Sequence, residues 1–224
     1  MEKDHVSTLE RIKTAAIGEF SVKGYKSASL RNIVNKAGVT TGAFYGYYKS
    51  KEELFDVLVS EEAEYFKNEY FSCLRRFKKL PIAEQVKAID VNGTVNKWMV
   101  NIVDYIYNHK AAYKLLICKA EGTRFEDYVN NLVEHEVRAN HEFIAAMEKE
   151  GKIIEHVEPN LEHILISGMF SAFFEIVAHD YSRKDAKDYV NKIHNFNVAG
   201  WAQIIRLEGI GKKANKQKKE NENL

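Results

Sequence analysis

The chain has 224 residues, two of them Pro and two Cys, and its 33 Lys or Arg nearly balance 32 Asp or Glu. That length allows a sizeable core in one large or two small domains, while a net charge of +1 excludes a global electrostatic attraction to nucleic acid. Scarce Pro, with Leu, Ile, Ala, Lys and Glu at helical spacing almost throughout, predicts an all-α protein.

The N-terminus, MEKDHVSTLERIK, is charged and has no apolar h-region. A reduced cytoplasmic setting is therefore expected, with Cys73 and Cys118 as small buried hydrophobes. Ser7-Thr8-Leu9-Glu10 has the pattern of a capping box, and Leu9, Ile12, Ala16 and Phe20 then share one helical face. Lys23-Gly24 closes that helix. Ser29 starts a short second helix on Leu30, Ile33, Val34 and Ala37, which Gly38 ends at positive φ. Thr40 caps a third, very short helix from Thr41 to about Tyr47. Ser50-Lys51-Glu52-Glu53 is a second capping box and opens a long helix with Leu54, Phe55, Leu58, Tyr65 and Phe66. Caps, glycines and apolar faces agree on a helix-turn-helix inside a three-helix core.

That arrangement explains a crowding of rings, Phe44, Tyr45, Tyr47 and Tyr48, directly after the turn. If the third helix lies in a major groove, its outward face needs small or hydrogen-bonding residues that let the backbone approach phosphates and base edges. Thr40, Thr41, Gly42 and Ala43 meet that need. Phe44 and Tyr48, four apart, plug the core against Ile33 and Leu54, whereas Tyr45 and Tyr47 stay outside. Lys49 and Lys51 flank the N-terminus of the next helix, where a phosphate is favoured. From Met1 to Lys51 nine Lys or Arg face four Asp or Glu, so the charge that the whole chain lacks is concentrated here.

Beyond Leu80-Pro81 the helices lengthen. Pro81 suits a first helical turn, Asn92-Gly93 a break, and helices are predicted over Trp98–His109, Ala111–Ala120 and Phe125–Lys149. Two more run from Pro159 to about His179 and from Lys184 to about Leu207. The apolar-rich patch Ile164–Ala178 is interrupted by Ser167, Gly168, Ser171 and Glu175, which predicts a buried helix and no membrane span of roughly 20 residues.

The stretch FSVKGYKSASLRNIVNKAGVTTGAFYGYYKSKEELF, Phe20 to Phe55, resembles the N-terminal signature of the TetR (tetracycline-repressor-like) family of transcriptional regulators. The resemblance covers roughly the first quarter of the chain. It implies an all-α homodimer that binds a palindromic operator in double-stranded DNA and is released by a small-molecule effector. It puts Thr40, Thr41, Gly42, Ala43, Tyr45 and Tyr47 on recognition-helix positions, Lys51 on a phosphate-contacting position, and Ser29 and Arg31 at the backbone-touching start of the second helix. Gly46 departs from the pattern, since many members carry a longer residue there. It removes a possible base contact and softens the helix by about 1 kcal/mol relative to Ala.

The organisation expected is a helix-turn-helix domain over 1–50, with the connecting helix from about 51. A helical effector-binding and dimerisation domain follows over 51–208, then a disordered Lys-rich tail over 209–224. Leu165, Met169, Ala172, Phe173 and Ile176 line one late helix, and Phe196, Trp201, Ile204 and Ile205 the next, as a dimer seam or as monomer core. Trp98, Tyr105, Tyr113, Cys118, His141, Phe143, Met147, Phe170 and Phe174 are the pocket candidates, an apolar set with a few polar handles that suits a flat or lipophilic ligand. His135 and His141 stand six apart, on different helical faces, so no zinc site is expected. Glu134, Glu136, Arg138 and Glu142 read as a solvated face. Acids such as Glu142 and Glu175 stand alone, without a phosphate loop or nucleophile elbow, so no catalytic residue, cofactor or metal is expected. The second reading of the whole is a DNA-binding dimer without effector, its C-terminal domain serving a protein partner.

Overall fold

A computed structural model describes residues 7–152 and 155–206, and among them every regular element is an α-helix. The expected tail over 209–224 lies outside the described residues. The chain divides into two compact units, the first holding residues up to Phe66 with Asn108–Tyr128, the second Lys67–Tyr107 with the residues from Val129 onward. The sequence reading instead draws its boundary at 50/51 and assigns 108–128 to the C-terminal domain.

In the first unit, α1 (Thr8–Ser27) starts where Ser7 Oγ accepts from Glu10 N–H at 3.2 Å. Its regular part ends at Gly24, whose φ of 71° is strained for any residue with a Cβ. Ser29 caps α2 (Leu30–Ala37), and Gly38, at φ 63°, turns the chain sharply into α3 (Thr41–Tyr45). This third helix is thus five residues long, shorter than expected. Ile12, Ala16, Phe20, Ile33, Val34, Phe44, Leu54 and Phe55 are buried together, with Phe20 and Phe55 meeting edge to face at 5.2 Å. Each of these side chains except the small Ala16 contributes about 1.5–3 kcal/mol by leaving water. The long helix α4 (Lys51–Lys78) gives its first part to this unit and its remainder to the other.

The late addition to the first unit is α7 (Lys110–Cys118), which packs on α1. Tyr25 N–H donates to Lys119 O at 2.9 Å, Lys26 pairs with Glu121 at 2.7 Å, and Arg124 Nε meets Asp56 at 2.8 Å. Tyr113 and Tyr128 donate their hydroxyls to the carbonyls of Glu62 and Ala63, so α4 is gripped from the same side.

The second unit contains α5 (Ile82–Ile89), α6 (Thr94–Asn108), α8 (Tyr128–Lys149), α9 (Pro159–Ala178) and α10 (Arg183–Ile204). Tyr107 reaches Tyr181, Lys187 reaches Asp104 and His194 reaches Ile89 O, so α6 and α10 run antiparallel. Asn140 and His141 of α8 both hold the buried Glu162 of α9. Among the described residues α9 is the helix long and apolar enough to cross a membrane, with a mean hydropathy of 1.5. It has that character by length and composition only, since Ser167, Gly168 and Ser171 are weakly polar, and a core helix has it equally. Ile166, Phe170, Phe173, Phe174, Ile176 and Val177 of α9 are buried, while Leu161 and Ile164 are exposed.

Candidate nucleic-acid interface

Thr40 Oγ1 accepts from Ala43 N–H at 3.1 Å, fixing the first turn of α3. Thr41, Gly42, Ala43, Tyr45 and Tyr47 all face solvent, and Arg31 and Lys49 are exposed as well. The rings divide as their spacing predicts. Phe44 and Tyr48 are buried, 5.7 Å apart, whereas Tyr45 and Tyr47 are 55% and 50% exposed. Large rings thus stand half in water on and just beyond a short helix that presents small residues beside them. Ser29 is half-buried and its hydroxyl accepts from Asn32 N–H; a hydroxyl that accepts can still donate to a phosphate.

Two charged side chains position this surface from behind. Glu19, only 3% exposed, accepts from Lys36 Nζ at 2.7 Å, Asn32 Nδ2 at 3.2 Å and, more distantly, Ser29 N–H. The Lys36 ammonium holds its carboxyl below the usual range, with Asn32 adding to the effect. Glu19 therefore ties both ends of α2 to α1. The sequence reading passed over it, although it continues the Ile12–Ala16 face of α1 three residues on.

Lys51 departs from its expected phosphate-contacting role. Its Nζ donates to Tyr25 O at 2.7 Å and Ala28 O at 3.0 Å, and lies 4.4 Å from the centre of the Tyr25 ring. Burial lowers the pKa of this ammonium. The carbonyls left open where α1 ends attract a cation, so Lys51 closes α1 instead of facing outward. Ser50 Oγ accepts from Glu53 N–H at 3.0 Å while Glu53 reaches back to Lys49 N–H, so the capping box forms one residue offset.

The pocket candidates separate. Tyr113 is fully buried and Cys118 exposed, both in the first unit; the exposure of Cys118 corrects its reading as a buried hydrophobe. In the second unit, Trp98 and Phe170 approach the Tyr70 ring at 6.3 and 6.0 Å, and Phe174 follows Phe170 at 6.3 Å. Tyr70 was absent from the candidates yet sits at the centre of this aromatic cluster. Phe143 packs on Phe77 at 5.6 Å, Met147 is fully buried, Tyr105 is half-buried and His141 is an exposed partner of Glu162.

Glu136 corrects the reading of a solvated face. It accepts from the buried Tyr70 hydroxyl, and although part of its side chain stays accessible, burial of the carboxyl raises its pKa. His135 instead stacks edge-on against Phe71 at 4.7 Å and contacts Arg138.

Of the residues expected at a dimer seam, Phe173, Ile176 and Ile205 are buried within one chain and pack as monomer core. Leu165, Met169, Ala172, Trp201 and Ile204 are half-buried, and Phe196 is 78% exposed.

Residues 12–58 match the family model described as "Bacterial regulatory proteins, tetR family". The curated relative "Uncharacterized HTH-type transcriptional regulator YdgC" of Bacillus subtilis (strain 168) is 41% identical over 61 residues, 27% of this chain and 31% of that protein. The chain thus spans about a third of the length of that relative. Among solved structures, SCO3833 of Streptomyces coelicolor A3, described as a member of the TetR transcriptional regulator family, is similar at a TM-score of 0.54 and 20% identity, over 89% of this chain and 93% of that one. The transcriptional regulator FadR of Bacillus subtilis, solved in complex with stearoyl-CoA, is similar at a TM-score of 0.51 and 17% identity, over 85% and 97%. At these identities the two structures establish a shared fold.

Proposed function

We propose that the chain, whose residues 12–58 match the model of the tetR family of bacterial regulatory proteins, is a dimeric, sequence-specific DNA-binding repressor released by a small molecule. The observation that carries the DNA-reading part is the division of rings around α3, with Tyr45 and Tyr47 exposed beside Thr41, Gly42 and Ala43. Thr40, Arg31, Lys49 and the Ser29 hydroxyl supply backbone contacts in this reading, and Lys51 supports the surface from within. Affinity then rests largely on phosphate contacts, falling about 0.9 log units per neutralised phosphate for each log unit of salt.

A palindrome requires two copies. Leu161, Ile164 and Phe196 leave apolar surface in water on α9 and α10, alongside half-buried Leu165, Met169 and Trp201. Pairing two such faces into a four-helix seam removes that surface from water. Two recognition helices must then reach successive major grooves about 34–36 Å apart. A ligand favouring a body with another spacing lowers affinity by that differential alone. The aromatic cluster of Tyr70, Trp98, Phe170 and Phe174, with Glu136 as its polar handle, is the effector region in this reading. That FadR of Bacillus subtilis, a protein of this fold, was solved in complex with stearoyl-CoA supports a small-molecule effector in this reading.

The test is selection of bound sequences from a random double-stranded DNA pool by the full-length protein. An inverted repeat with half-sites one helical turn apart, or a multiple of it, is expected. Enrichment of nothing, or of an unrepeated site bound by a monomer, sinks the proposal.

A further inference from the structure

The five residues of α3 span about 7.5 Å, whereas a major groove is about 12 Å wide. If α3 enters DNA as proposed, a helix that short leaves the two phosphate walls to whatever flanks its ends. Beyond its last residue stands Lys49, exposed and close in sequence. Before its first residue the chain has no charge to offer, because Ala37 to Tyr48 contains no Lys or Arg. A cation for that wall has to come from another helix.

The other basic residues between Ser7 and Lys51 narrow the choice. Lys13 pairs with Glu10 at 3.7 Å, Lys26 with Glu121 at 2.7 Å and Lys36 with the buried Glu19 at 2.7 Å, while Lys51 closes α1. Arg31 stands in the first turn of α2, at the far end of that helix from the turn into α3. Arg11 and Lys23 of α1 remain, and of these Arg11 reaches the turn. Its Nη1 donates to Gly38 O at 3.5 Å and its Nη2 to Thr8 Oγ1 at 3.4 Å, and among the described residues it has no ion pair. Both bonds are long and go to neutral acceptors, so a guanidinium with five N–H donors keeps most of its capacity free. The same Nη1 lies 3.4 Å from where a Cβ on Gly38 would stand, so the charge is held over the turn, two residues before Thr40 caps α3. Arg11, Gly38 and Thr40 are all exposed. Arg11 also precedes the residues 12–58 that match the family model.

Resting on the proposed DNA-binding function, we infer that Arg11 is a phosphate-contacting residue, supplying from α1 the positive charge that the start of α3 lacks. A backbone phosphate accepts from the free guanidinium N–H groups. It accepts also from the Thr40 hydroxyl, which takes a bond from Ala43 N–H and keeps its own proton to donate. A planar, weakly hydrated fork suits a phosphate better than an ammonium does. The bond to Gly38 O ties that charge to the turn, so the phosphate strand and α3 hold one register. Such a contact adds affinity for any sequence and carries no base preference of its own.

The experiment measures, by fluorescence anisotropy over a series of salt concentrations, the affinity of the full-length protein for its selected operator and for a scrambled duplex. Arg11→Gln, Arg11→Lys and Lys23→Gln are compared with the wild type. Lys23 is the control: exposed on the same helix, but about 18 Å further along it. Arg11→Gln should lower the slope of log K against log salt by about 0.9 and weaken both duplexes alike, about eightfold at about 0.1 M salt. Arg11→Lys should keep the slope, and Lys23→Gln should change neither slope nor affinity. A slope unmoved by Arg11→Gln, or lowered as much by Lys23→Gln, overturns the inference while leaving the DNA-binding proposal standing. So does a lowered melting temperature with the slope intact, which would make Arg11 a staple of the turn and nothing more. A wild type that binds neither duplex sinks the DNA-binding proposal and this inference with it.

Discussion

Two buried carboxylates, Glu19 in the N-terminal unit and Glu136 in the second, meet opposite surroundings. Glu19 is met by an ammonium, a side-chain amide and a backbone N–H, and it stays charged below the usual pH range for a carboxyl. Glu136 is met by one tyrosine hydroxyl and, more distantly, by the Lys78 charge, and burial outweighs both, so its proton is held to higher pH. The contrast follows from the work each unit does in the proposed function. A DNA-reading surface needs one geometry, and a fully paired charge holds α2, and through it α3, in one place. A ligand-responsive body needs groups with something left to bind, and an underpaired carboxyl is such a group.

Glu19→Ala is the largest test of that contrast. It leaves Lys36 and Asn32 facing an emptied buried site, and because Lys36 is itself more than half exposed the loss should be about 2–3 kcal/mol, read by urea denaturation. The loss should shrink as pH falls. A carboxyl with a depressed folded pKa stabilises above its unfolded value, near about 4.3, and loses that contribution as pH drops through the folded one. A cost unchanged between neutral and strongly acidic pH would mean that Glu19 acts by packing alone.

Next comes the apolar face of the second unit. Phe196→Asp puts a charge where a ring stands 78% in water. A monomer should tolerate it within about 0.5 kcal/mol. A dimer using that ring should weaken by up to about a hundredfold, close to 2.7 kcal/mol, in sedimentation analysis. An unchanged dimer would move the seam elsewhere.

These cases also show what a linear reading reaches. Ser7, Ser29 and Thr40 cap their helices by bonds to the amide three residues on, and Gly38 turns within its own backbone, so those elements and the division of rings around Phe44 were legible. Glu19 was legible in principle, because its helical spacing from Ile12 and Ala16 puts it on the buried face; an acidic residue is simply read as solvated by habit. The place of α7 was not. It rests on bonds such as Lys26 to Glu121, 95 residues apart, which no local pattern encodes. Nor could spacing tell that Lys51 turns back to Tyr25 and Ala28, or that Glu136 points to Tyr70, since each depends on which helix arrives alongside.

Lys51 and Tyr45 separate support from reading within the N-terminal unit. Lys51→Met should lower stability by about 1–2 kcal/mol through the open carbonyls of Tyr25 and Ala28. Tyr45→Ala should leave stability within about 0.5 kcal/mol but shift preference among selected operators by about 1 kcal/mol or more. If Lys51→Met instead kept full stability and reduced the salt slope of DNA binding by about one phosphate, its ammonium would be a DNA contact after all.

The smallest effect tests the other half of the contrast. A carboxyl whose folded pKa is raised favours the fold most below its unfolded value, and that contribution is lost as pH rises through the folded pKa. Glu136 should therefore weaken the protein toward neutral pH, the reverse of Glu19. Glu136→Gln keeps an acceptor for the Tyr70 hydroxyl and removes the charge. It should raise stability by about 1 kcal/mol at pH 7 and by almost nothing at pH 4, where the wild-type carboxyl already carries its proton. A variant less stable than wild type at pH 7 would mean that the charged carboxylate is itself part of the folded state, and Glu136 would then belong beside Glu19 as an anchor, not as a group held ready for a ligand.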